Sequence, residues 1–338
     1  MNLKPNLLIT GASGFIGSHL IEEAISQGFK VFAAVRKSSK VIIPTGSNVT
    51  ILYFQYDYAE LIDNLTNLKK QYGRFEYIIY NAGITRAINE SDYNDVNSVL
   101  PKKLLQSLKL ADNIPDKFIL VSSMAAFGPG DNNSLAPITI AQERKPISNY
   151  GKSKKVVSDF FLAQTTAPCI IVYPTAVYGP RDKDFINFVK LINKGIEPYI
   201  GFHKQLISMI HVKDLSSAVV GLLKKGNSGS EYIISDNRNY DKKELGTIIK
   251  TILNKKTLRL IIPLKPVLWL SGCIEFVYKC LAPNKLPLLK KEKINEISCA
   301  NWSCDSADVW NTLGKQPEFD LKSGMEQTIG WYRSNGKL

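Results

Sequence analysis

The chain is 338 residues long, enough to bury a large core and more than one comfortable single-core domain. Its 44% hydrophobic and 22% charged residues are ordinary for a soluble globular protein, and no stretch reaches the about 18 uninterrupted apolar residues of a membrane span. Forty-three basic against thirty acidic residues give a net charge of +13, which favours anionic partners, yet the scattered Lys pairs lack the interleaved aromatics of a nucleic-acid reader.

The first apolar run, Leu7 to Thr10, is short and strand-like, too short for a signal peptide. It leads into Gly11-Ala12-Ser13-Gly14-Phe15-Ile16-Gly17 and an amphipathic helix from Phe15 to about Gln27. Strand, glycine turn and helix in that order build a dinucleotide site. The glycines allow a tight turn and close approach to a diphosphate, which the free amides and dipole of the helix N-terminus attract. Gly11, Ser13, Gly14, Phe15, Ile16 and Gly17 are therefore candidate cofactor contacts.

A second strand, Lys30 to Val35, ends in Arg36-Lys37-Ser38-Ser39. NAD sites place an acid here for the ribose hydroxyls; two cations and two hydroxyls instead suit a 2′-phosphate, so NADP(H) is favoured over NAD(H). Further strands are predicted at Thr50–Phe54, Glu76–Tyr80, Lys117–Val121 and Cys169–Tyr173, alternating with helices. That alternation predicts a doubly wound, parallel Rossmann sheet with the site at the carboxyl ends of its strands.

Ser123 follows the fifth strand, and Tyr150 and Lys154 follow twenty-seven residues later in Ser-Asn-Tyr-Gly-Lys-Ser-Lys. Four residues apart on a helix, tyrosine and lysine share a face. A phenol of pKa about 10 is a poor acid or base at neutrality; a neighbouring ammonium is expected to lower that pKa, and a serine hydroxyl could hold the reacting oxygen. Ser123, Tyr150 and Lys154 are the candidate catalytic residues.

Beyond Gly179-Pro180 the pattern loosens. Residues 206–235 read as strand, helix and strand returning to the first lobe, and 241–254 and 305–313 as helices. The division expected is a nucleotide-binding domain of residues 1–180 plus about 206–235, and a smaller C-terminal α/β substrate lobe of 181–205 and 236–338. Val267 to Leu281 carries one polar stripe, Ser271, Glu275 and Lys279, on an otherwise apolar helix. It is read as core of the small lobe; a wall for a lipid-like substrate, or a surface dipping into a membrane interface beside Lys285, Lys290, Lys291 and Lys293, is the alternative. The five cysteines lack Cys-x-x-Cys spacing and accompany three histidines, which points to a reducing cytoplasm and away from disulfides or a metal.

The spaced glycines, Ser123 and Tyr150-x-x-x-Lys154 together resemble the extended short-chain dehydrogenase/reductase family. In this resemblance Asp57-Tyr58 contacts the adenine, and Asn81-Ala82-Gly83 lines the cofactor in the manner of the classical branch. The run Val172 to Arg181 resembles the segment that passes the nicotinamide, with Pro174, Thr175 and Val177 beside the cofactor. Thr85, Met124, Tyr178, Arg181 and His211 then fall against the substrate, although His211 also reads as a structural histidine bonded to backbone. His19 stands outside the chemistry. Asn97 matches a helix position that organises the tyrosine–lysine relay, but Leu100-Pro101 after it predicts a helix that starts late.

Related sugar dehydratases carry an Asp-Glu pair after the serine; Met124-Ala125 here excludes that chemistry and leaves a ketone reductase, or an epimerase retaining NAD. A non-catalytic dinucleotide sensor is the third reading, opposed by the intact Ser, Tyr and Lys. The run Leu286 to Cys304 is similar to bacterial members acting on long-chain keto-lipids of sphingoid type. The resemblance implies a homodimer with a small-molecule or lipid-like substrate; the cysteine pattern adds a cytoplasmic setting and no metal, and the basic excess allows peripheral contact with an anionic inner membrane face.

Overall fold

The computed structural model describes residues 4–39, 49–54, 58–164, 167–282, 285–287 and 290–338. Strands β1 (Asn6–Thr10), β2 (Lys30–Val35), β3 (Val49–Tyr53), β4 (Tyr77–Tyr80), β5 (Lys117–Val121) and β6 (Cys169–Pro174) fall where the alternation placed them. With a later strand, β10 (Glu231–Ile234), they form a seven-stranded sheet in the order β10-β6-β5-β4-β1-β2-β3. Every neighbouring pair is parallel. The chain winds outward in both directions from the junction of β1 and β4, which opens the crevice typical of such sheets.

Parallel strands buried on both faces must be covered by helices on both faces. On one side lie α1 (Phe15–Ser26) and α7 (Val212–Lys225), packed on each other and on Leu7, Ile9, Val31 and Ile119. On the other lie α2 (Tyr58–Tyr72), α4 (Leu100–Leu110) and α5 (Asn149–Leu162), sealing Leu8, Phe32, Ile78 and Phe118. Between β4 and α4 the chain forms α3 (Glu90–Asn94) and then a π-helical turn, Asp95–Val99, that runs straight into α4. The late start expected from Pro101 is thus corrected. Pro101 lacks an N–H to donate, and a wider turn immediately before it absorbs the register slip.

After β7 (Ala176–Tyr178) come α6 (Ile186–Asn193), β8 (Ile196–Ile200) and β9 (Leu206–His211). Strands β7, β11 (Asn239–Asp241) and β13 (Asn301–Trp302) all pair with β9 in a second sheet. Helix α8 (Lys242–Leu253) precedes β12 (Leu258–Ile262), which pairs with β8, and α9 (Leu264–Leu281) leads to α10 (Lys291–Ser298). Of the segment 206–235, α7 and β10 join the large sheet, whereas β9 joins the second. Helix α11 (Ala307–Leu313) packs back on α7 and β10, while α12 (Leu321–Ser334) packs on α8 around Met325, Ile329 and Tyr332.

One expectation fails outright. Trp269, Leu270, Phe276, Val277 and Leu281 of α9 are exposed, and Ser271 is the buried residue of that helix. Helix α9 is therefore not core of the small lobe. Its apolar residues outnumber what one buried face can hold; within the polar stripe Ser271 is covered, Glu275 is half-buried and accepts a hydrogen bond from the Lys291 backbone N–H at 2.6 Å, and Lys279 is exposed.

Candidate active site

A cleft of about 1590 Å³ opens at the carboxyl ends of β1, β2, β4 and β5. Its floor is fixed by backbone. The Gly14 N–H donates to the Gly11 carbonyl at 3.0 Å, closing the turn that launches α1. Gly11 has φ +65, a left-handed conformation that disfavours side chains, and a Cβ there would lie 2.8 Å from the Ala82 backbone. At Gly17 a Cβ would lie 2.1 Å from the Gly11 carbonyl oxygen. The hydroxyl oxygen of buried Thr10 accepts from the backbone N–H groups of Asn81 and Ala82, both at 3.1 Å, and ties β4 to β1 at the crevice. Gly14 caps α1 with no side-chain hydrogen bond, so the first-turn amides face the cleft unshielded by a capping side chain.

Gly11, Ser13, Gly14, Phe15, Ile16, Arg36, Asn81, Ala82, Gly83, Thr85, Tyr150, Lys154 and Arg181 all line this cleft. Gly17 is buried beneath it as helix packing. Lys37 is exposed beside Arg36 but is not part of the lining. Asp57 lies outside the described residues, and Tyr58 opens α2. Pro174, Thr175 and Val177 sit at the end of β6 and in β7, away from the lining.

Lys154 is almost wholly buried, and its ammonium donates to the Val121 carbonyl at 3.0 Å. Burial lowers its pKa to about 8, which leaves the cation dominant at neutrality. Burial pushes the Tyr150 phenol the other way, to about 12; the Ser123 hydroxyl opposes this, while Glu296 and Tyr93 add to it. The lowering of Tyr150 by Lys154 expected from the spacing is thus corrected, because desolvation of the phenolate dominates. Ser123 caps the short turn Met124–Ala126, its hydroxyl oxygen accepting from the Ala125 N–H at 3.2 Å. At neutral pH the arrangement holds a protonated phenol one helical turn from an ammonium, with a serine hydroxyl alongside.

Three expected substrate contacts lie elsewhere. Met124 is packed in the core under the sheet, since its side chain turns away from the cleft with the capped turn. Tyr178 is fully buried in the second lobe and donates to the Asp320 carbonyl at 3.3 Å. His211 is fully buried between Tyr178 and Phe319, ring centroids 5.4 and 4.2 Å away. Among the described residues neither of its ring nitrogens has a hydrogen-bond partner, and the expected backbone bond is not found there. Burial holds its pKa down to about 3, a neutral ring in an aromatic box.

Arg181 and Asn97, both named from the sequence, are held by partners the sequence did not indicate. Arg181, at φ +75, donates to both carboxylate oxygens of Glu22 at 2.8 Å and to the ring of His19, which also lines the cleft. Asn97 is buried: its side-chain oxygen accepts from the Ile84 N–H at 2.8 Å, and its amide donates to the Ile84 carbonyl and to Ser153. It clamps the loop after β4 against α5. Trp331 and Tyr332 of α12, and Asn335 and Lys337 just after it, reach the cleft from more than 175 residues beyond Tyr150 in sequence.

The comparisons agree on where this geometry comes from. Residues 7–235 match the model of the NAD dependent epimerase/dehydratase family. The chain belongs to that family. Its relatives are extended short-chain dehydrogenase/reductase members, and the protein is accordingly an NAD(P)-dependent enzyme of the oxidoreductase, dehydratase and epimerase class. It is 25% identical to a decarboxylating sterol-4-alpha-carboxylate 3-dehydrogenase of Dictyostelium discoideum, over 95% of this chain and 99% of the relative. It is 24% identical to a ceramide reductase of Caulobacter vibrioides, over 98% of this chain and 95% of that one. The fold superimposes on a dTDP-glucose 4,6-dehydratase from Bacillus anthracis in complex with NAD, with TM-score 0.76 and 20% identity over 98% of each chain. Among the described residues no helix is long and apolar enough to cross a membrane.

Proposed function

We propose that this family member is an NADPH-dependent reductase that converts a ketone on a lipid-like substrate to an alcohol. The observation that carries the reading is one cleft with Arg36 at one end, Tyr150 and Lys154 at the other, and the glycine turn between. The residues fit the cofactor: amides at the start of α1 suit a diphosphate, and the Arg36 guanidinium suits a 2′-phosphate. When bound, the nicotinamide supplies the hydride.

The chain's own residues would supply the proton and hold the oxygen. The Tyr150 phenol, protonated at neutrality, is the form a reduction consumes. Tyr150 gives its proton to the carbonyl oxygen as that oxygen gains charge. Lys154, still cationic at neutrality, offsets the charge left on the phenol, and Ser123 donates a hydrogen bond to the same substrate oxygen. Met124, where dehydratases carry an acid, is turned into the core and offers no acid–base group. The sterol and ceramide in the two relatives' names support a lipid class of substrate.

Purified protein mixed with NADPH and a panel of 3-keto lipids in micelles should consume NADPH, faster than NADH, and form the alcohol. Tightly co-purifying NAD, with UDP-sugar interconversion and no added cofactor, would overturn this in favour of an epimerase.

A further inference from the structure

Helix α9 carries an apolar stripe that no element among the described residues covers. Trp269, Leu270, Cys273, Phe276, Val277, Cys280 and Leu281 recur at steps of three and four, so they fall on one face of an 18-residue helix about 27 Å long. Trp269 is 73% exposed, Phe276 68% and Leu281 82%. The adjoining strand β12 extends the patch, with Leu258, Leu260, Ile261 and Ile262 exposed as well. Monomeric proteins rarely leave so long a run of large apolar side chains in water.

We infer that this face seats α9 in the interfacial layer of an anionic lipid bilayer, the helix lying on the membrane rather than crossing it. Charge selects the occupant. Residues 255–286 carry five cations (Lys255, Lys256, Lys265, Lys279, Lys285) besides Arg259, which is paired with Glu197, and one acid, Glu275, which accepts from the Lys291 N–H. A rim of that sign complements anionic headgroups, while a second copy of the chain would bring like charge against like. No helix among the described residues meets the length and hydropathy of a span, which suits a helix that lies in the interface.

The same helix is tied to the cleft. Glu275 holds the start of α10, and Glu292 of α10 accepts from the backbone N–H of Asn149, the residue before Tyr150. Lys290 donates to the Ala87 carbonyl at 2.5 Å, on the loop after β4. A bilayer under α9 thus lies beside the Tyr150 end of the site.

Vesicle flotation tests the inference without any turnover, so it stands or falls apart from the reductase reading. The full chain should float with phosphatidylcholine vesicles containing phosphatidylglycerol, weakly with phosphatidylcholine alone, and less as salt rises. Trp269 emission should shift to the blue on binding, a change missing from Trp269→Phe. The triple variant Trp269→Ser, Phe276→Ser, Leu281→Ser should lose about tenfold or more of the binding while keeping its melting temperature and NADPH affinity. Failure of the wild-type chain to bind anionic vesicles would overturn the inference. So would a wild-type dimer that the triple substitution converts to monomer, since a second copy would then be the occupant.

Discussion

The cleft and the α9 face solve opposite problems with the same amino acids. At and beneath the cleft, buried polar groups are held by named partners: Thr10 by two backbone amides, Asn97 by Ile84 and Ser153, Lys154 by Val121. On α9 large apolar side chains face out while Ser271 is covered. Desolvation shapes the cleft's chemistry, raising Tyr150 to about 12 and bringing Lys154 to about 8. The α9 face leaves its desolvation undone, to be completed by something outside the chain.

The contrast can be broken most sharply at Tyr150. Tyr150→Phe removes the proton donor and little volume, so kcat should fall by about 10²–10⁴ with NADPH affinity unchanged in a binding titration. Retained turnover would remove tyrosine from the mechanism. Gly17→Ala tests the rigidity of the cleft floor. Its methyl would meet the Gly11 carbonyl oxygen, so the turn must open, costing about 2 kcal/mol of stability and most of the cofactor affinity, as calorimetry would show.

Arg36→Ala should cost NADPH about 10–100-fold in affinity and leave NADH nearly unaffected, since a charged hydrogen bond is worth about 1.5–3 kcal/mol. Equal losses for both cofactors would mean that Arg36 does not read a phosphate.

A quieter test concerns His211, held neutral in the fold with a pKa of about 3. Below pH 6.5 the unfolded chain takes up a proton that the folded chain refuses, so stability falls as pH drops from about 6.5 towards 3 and is unaffected above. His19, lowered to about 4, acts in the same sense, while Asp182, Asp214 and Asp236, held above the usual carboxylate range, oppose it. The comparison with His211→Phe isolates the one group. That variant should gain about 2 kcal/mol more over the parent at pH 5 than at pH 7.5, read as a wider gap in melting temperature. Smallest of all should be the effect of the α9 serine substitutions on the isolated protein, within about 0.5 kcal/mol, because those side chains touch little in the fold.

The six parallel strands from β1 to β6 were legible because buried parallel strands are short apolar runs ended by glycine and polar residues, a signal local to each run. The glycine turn and the Tyr150–Lys154 pair were legible for the same reason: adjacency in sequence or one helical turn suffices to place them. By itself the sequence determined the α/β class, the glycine turn, the acid-free tip of β2 and the relay spacing. Tertiary structure alone decided which way each side chain is solvated. Composition cannot say that Met124, Tyr178 and His211 turn into cores, nor that Asn97 clamps a loop across 56 residues to Ser153. It also cannot say which stripe of α9 meets water. Hydrophobic periodicity shows that two faces differ, but only the elements packed against them decide which face is covered.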